Sequence, residues 1–159
     1  MSWDAIGAIG EIIGAAGVLI SLLYLASQIR KNTHAIESSA HQGMLHQHNS
    51  LWTLLLTDEK LGELVEAGED EPQTLTEKEW NKFVKFAFMH VNLWENAFIN
   101  HQKGTITTDV FQAWDMGARY TFDHIGYQRF WRENRAAFHV DFVKHVEPFF
   151  AEIKDTAVS

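Results

Sequence analysis

Residues Ala5 to Ala26 read AIGAIGEIIGAAGVLISLLYLA. Within this run Gly7, Gly10, Gly14, Gly17 and Ser21 recur in steps of three and four, which puts them on one face of an α-helix. Glycine costs a helix in water about 1 kcal/mol against alanine. A stripe of it inside an apolar helix points instead to lipid, and to close packing on another helix. Small residues at this spacing, Gly10-x-x-x-Gly14 among them, let two backbones approach. The alternation of three and four favours a left-handed crossing of about +20°. The chain has one such segment, so the expected partner is a second copy of it.

Length and flanks agree with a membrane span. About 22 residues at 1.5 Å each cover about 33 Å, enough for a hydrocarbon core of about 30 Å. Trp3 and Tyr24 stand near its ends, where interfacial aromatics belong. The start, Ser2-Trp3-Asp4, is not basic and no small-residue cleavage site follows, so a cleaved signal peptide is not expected. Arg30 and Lys31 are the first basic residues, and the positive-inside rule then places the following domain in the cytoplasm. The alternative is a buried helix of a soluble bundle. Such helices show a polar face, whereas Asp4, Glu11, Ser21, Ser27 and Gln28 do not form one. The organisation read from this is an anchor helix over 1–31 and a helical domain over 32–159.

The chain has 159 residues, 46 % of them hydrophobic, with 11 Phe and 6 Trp, which is ample for a packed core. It has no cysteine, which excludes disulfides, thiolate metal sites and cysteine nucleophiles. The net charge is −8, and because Asp4, Glu11, Arg30 and Lys31 cancel, the domain after the anchor carries all of it. An acidic domain without a basic stripe argues against nucleic-acid binding and against lying on an anionic leaflet.

The rest of the chain reads as all-α. The first helix has no strong stop and is expected to continue to about Leu56, with a break near Asn32 and Thr33. A short helix over 58–67 should end at Gly68. Thr76 and Glu79 form a capping box that opens the next helix, whose face carries Trp80, Phe83, Val84, Ala87, Phe88, Val91, Trp94 and Phe98. Gly104 should close it. Thr107 or Thr108 caps a helix with Phe111, Trp114, Ala118 and Phe122 inward and Gly126 at its end. A short helix over 127–135 and a last one over 138–154 follow. In the last, Phe142, Val146, Phe149 and Ile153 share a face, and Pro148 should kink it or begin a new turn.

Three phrases carry a resemblance: Gly10-Glu-Ile-Ile-Gly14, the run Ser21 to Arg30 (SLLYLASQIR), and Asn32-Thr33. They resemble the start of a widespread family of small uncharacterised bacterial proteins, in which an apolar N-terminal helix ends in a YLAxQIRxNT-like phrase. Trp94, Gly104, Phe111, Phe130, Trp131, Arg135, Phe138, Phe142 and Val143 are similar to that family's aromatic helical C-terminal half. The resemblance implies architecture and bacterial origin, hence the inner membrane. It implies no activity and no functional residue.

Two polar features bear on function. Glu11 lies inside the apolar run, where a carboxylate costs a few kcal/mol, and it borders the glycine face. In an oligomer it would line a pore or hold a cation; alternatively it reaches the outer interface beside Trp3. His34, His41 and His48 recur every seven residues, with His46 nearby. Steps of about 10.5 Å along a helix are too long for one chain to chelate a metal with them. In a symmetric bundle each would form a ring able to bind metal or to switch near about pH 6–6.5; alternatively they make a solvated polar face. Two pairs at i,i+4 spacing, Glu37 with His41 and Asp141 with His145, are expected on helix surfaces. No Glu-x-x-His, His-Glu-x-x-His, Gly-x-Ser-x-Gly, phosphate loop or dinucleotide fingerprint is present. No cofactor is implied and no enzyme is expected. The leading expectation is a self-associating, membrane-anchored scaffold or interaction module; an ion-conducting pore around Glu11 comes second, and a metal-dependent enzyme third.

Overall fold

The computed structural model describes residues 3–156, without the side chains of residues 4–6, 8, 9 and 150–156. Among the described residues there are six α-helices and no strand. They are α1 (Trp3–Thr57), α2 (Glu59–Asp70), α3 (Glu77–Gln102), α4 (Thr108–Thr121), α5 (Ile125–Asn134) and α6 (Val140–Thr156), with a 3-10 turn at Arg135–Ala137. The chain divides into two compact units, Met1–Ser39 and Ala40–Ser159.

The first unit is a single helix whose apolar surface is uncovered. Val18, Ile20 and Leu23 are 60, 67 and 71 % exposed. The helix is long and apolar enough to cross a membrane, and none of its apolar window is buried within the chain. Two of its hydroxyls bond back to the helix: Ser21 donates to the Gly17 carbonyl at 2.8 Å and Thr33 to the Ile29 carbonyl at 3.0 Å. The second of these bonds corrects the break expected near Asn32. A threonine bonded back to its own preceding turn stays inside a helix, and α1 runs on without interruption to Thr57.

The second unit is a bundle around α3. Asp58 alone joins α1 to α2 and caps the latter, accepting from the Leu61 N–H at 3.1 Å. The Thr76–Glu79 capping box forms at the start of α3, and Gly104, at φ 69°, follows its end. Trp80, Phe83, Ala87, Val91, Trp94 and Phe98 are buried as the periodicity requires, while Val84 and Phe88 are half-buried. Phe86 and Leu93 are buried as well, because α1 residues from Met44 to Leu55 pack on a second side of α3. Tyr127 and Phe130 of α5 and Phe142 and Val146 of α6 complete the centre, each fully buried. Aromatic rings interlock there: Phe88 meets Phe130 edge-on at 4.9 Å, and Trp94 meets Phe142 edge-on at 5.2 Å. Such geometries add about 1 kcal/mol per pair beyond burial. Helix α6 is continuous through Pro148. Phe149 is half-buried, and the inward position expected for Ile153 lies outside the described side chains.

Two glycines expected to end helices serve packing instead. Gly68 lies within α2 and Gly126 is the second residue of α5. A Cβ on Gly68 would stand 2.3 Å from a Phe83 ring carbon, and one on Gly126 would stand 1.8 Å from the Gly68 carbonyl oxygen. These contacts need hydrogen at both positions, because α2 touches the Phe83 ring and the backbone of α5 at van der Waals distance. Gly117, by contrast, faces open space. Gly126→Ala is therefore expected to destabilise the bundle by about 3 kcal/mol through overpacking, whereas Gly117→Ala should leave it as stable or firmer by up to about 1 kcal/mol. Urea unfolding followed by tryptophan fluorescence compares the two, and equal midpoints would contradict this packing.

Candidate functional site

The seven-residue histidine stripe divides. His34 stays on the surface and pairs with Glu37 at 3.2 Å. That pairing corrects the expected Glu37–His41 contact: i,i+3 geometry on the exposed face serves Glu37, while His41 turns toward the bundle. His41 and His48 both line a cavity of about 450 Å³ between α1, α3 and α4. The reason is local. Ala40, Met44, Leu51 and Leu55 form the stripe by which this part of α1 packs on the core, and the two histidines lie beside it.

The cavity wall is mostly indole and imidazole. Trp52 comes from α1, His90 and Trp94 from α3, and Trp114 from α4. His48 is the hinge of this cluster. Its ring lies 5.3 Å from Trp114 and 6.4 Å from His90, and its Nε2 accepts from the Trp52 indole N–H at 3.0 Å. That bond leaves Nε2 without a proton and assigns the proton of the neutral ring to Nδ1. His90 Nδ1 pairs with the Tyr127 hydroxyl at 2.8 Å. Burial, and then the field of His48, push the His90 pKa down to about 4. Burial, and then the charge of Glu69, push the Tyr127 hydroxyl up, so it keeps its proton. His41 Nδ1 is buried and has no hydrogen-bond partner among the described residues. No Asp, Glu, Lys or Arg lines the cavity.

A polar lock lies behind the cavity. Asp115 on α4, 7 % exposed, accepts from the Trp94 indole N–H at 3.0 Å, from His145 Nε2 at 2.6 Å and from Arg119 at 2.9 Å. Burial alone would raise its pKa. The His145 hydrogen bond and charge, the Trp94 bond and the Arg119 charge outweigh burial and hold it below the ordinary value. The carboxylate thus joins α3, α4 and α6, and it fixes the indole that forms one cavity wall. His145 is engaged here rather than with Asp141, whose partner is Lys144 at 3.0 Å. The i,i+4 surface pair expected from spacing yields because Asp115 offers His145 a desolvated and therefore stronger bond.

The remaining candidates stay on α1. A Cβ on Gly7, Gly10, Gly14 or Gly17 would meet nothing within 4 Å, so the whole glycine face is open. Glu11 is exposed beside it. Among the described residues no group of three or more His, Asp or Glu side chains is placed to hold a metal ion. Sequence reasoning missed His90, Asp115 and the three cavity tryptophans as a site. The available signal was the continuation of the apolar stripe through 44, 48, 51 and 55, which turns His48 inward.

His90 gives this site a pH dependence with a defined sign. Its folded-state pKa lies below the ordinary 6.5, so burial of the neutral ring stabilises the fold above that value, and the stabilisation is lost as pH falls toward 4. Between pH 7 and pH 5 the loss is expected to reach about 2 kcal/mol. Urea unfolding at the two pH values should show it, and His90→Gln should remove most of the difference. An unchanged pH dependence in the variant would contradict the assignment. Comparison with known proteins finds no protein-family model, no curated protein and no solved structure that matches this chain.

Proposed function

We propose that this chain is a single-pass membrane protein that self-associates through the glycine face of α1 and presents its acidic helical domain as an interaction module. The observation that carries the reading is the uncovered apolar surface of α1. Side chains such as Val18, Ile20 and Leu23 would each lose about 1.5–3 kcal/mol of transfer free energy in water, and nothing in the chain covers them. Lipid removes that cost. The hydroxyl of Ser21, bonded within the helix, suits a medium with no water to satisfy it.

Self-association is supported by the open glycine face. Gly7, Gly10, Gly14 and Gly17 leave room for a second backbone, and in lipid close packing is the main force that joins helices. Arg30 and Lys31 then favour a cytoplasmic domain, and the resemblance of the N-terminal phrases favours a bacterial inner membrane. Detergent-solubilised protein should be oligomeric by light scattering, and Gly14→Leu should shift it to monomer without changing its helical circular dichroism. A monomeric wild type, or a Gly14→Leu variant as oligomeric as wild type, would overturn the proposal.

A further inference from the structure

We propose that the cavity between α1, α3 and α4 is a binding site for an uncharged, planar aromatic molecule. The size is right: about 450 Å³ falls within the range of small-molecule sites, about 300–1,000 Å³. Shape follows from the walls. Ala113, Gly117 and Ala118 make a low shelf on α4, and the rings of His48 and Trp114 meet at 84° above it. Flat indole faces at Trp52, Trp94 and Trp114 favour a flat guest that stacks or meets them edge-on.

Charge selects further. The wall holds no carboxylate, ammonium or guanidinium group. Two of its histidines do not supply a cation at neutral pH: His48 accepts a hydrogen bond from the Trp52 indole N–H at Nε2, and burial pushes the His90 pKa down to about 4. A charged guest would lose its hydration without gaining a counter-charge. The unpaired Nδ1 of His41 is buried rather than on the wall, so it does not select among guests.

The site is independent of membrane insertion and of oligomerisation, and so is its test. Full-length protein in detergent is titrated with 2-naphthol, naphthalene or 2-naphthoate, with quenching of tryptophan fluorescence as the readout. Partition of a probe into micelles does not saturate and is the same for every variant. We expect saturable binding of 2-naphthol and of naphthalene, with 2-naphthoate about tenfold weaker than either. Gly117→Leu, at a helix position with open space beside it, fills the shelf without disturbing the core and should abolish saturation. The proposal is overturned by absence of saturable 2-naphthol binding up to its solubility, by unchanged binding in Gly117→Leu, or by tightest binding of 2-naphthoate.

Discussion

An apolar helix that no other described residue covers is the constraint on which the rest of this structure depends. Over residues 10–29 no residue of α1 is buried, Ala26 alone being half-buried, and none belongs to the core cluster. The folded domain must therefore be complete without this stretch. That is what the second unit shows: α3 supplies a continuous aromatic face, and α1 joins the core only from Ala40 onward, through Met44, Leu51 and Leu55. One helix thus has two differently covered parts. In the first, Ser21 and Thr33 bond back to the preceding turn, and the last exchanges small residues for a stripe that packs on protein.

Within the bundle, two close contacts set how near the helices lie. The Gly68–Gly126 approach brings the backbones of α2 and α5 together. The Asp115 carboxylate draws α4 and α6 onto Trp94. A buried ionised group is stable only when its lone pairs are met, and three donors meet them here. Arg119, which supplies one donor, also lies over the Phe149 ring at 3.9 Å and so reaches α6. The cavity results from the same arrangement. Trp94 is held from behind, Trp114 and His48 stand edge to face, and the small residues of α4 leave the space between them unfilled.

Much of the architecture was legible in the sequence. Apolar periodicity found α3, its capping box and its core face, because those signals are local. The long reach of α1 to about Leu56 was legible for the same reason. Glycine was misread twice. Gly68 and Gly126 carry the same letter as a helix terminator, but what requires them is the Phe83 ring for Gly68 and the Gly68 carbonyl for Gly126, 15 and 58 residues away by the differences of their numbers. The break expected at Asn32 failed because a threonine hydroxyl can bond to its own helix. The cavity was not legible, since His48, His90 and Trp114 become neighbours only when three helices pack. Spacing alone assigned His145 to Asp141, whereas burial assigned it to Asp115.

The central claim is that residues 5–26 lie in lipid. Because the chain has no cysteine, single cysteines placed at Val18 and at Ser39 can be labelled without background. In membranes expressing the protein, a water-soluble maleimide added after permeabilising the vesicles should label Ser39→Cys rapidly. Val18→Cys should remain unlabelled until detergent dissolves the bilayer. Equal labelling of the two sites in intact bilayers would contradict the account.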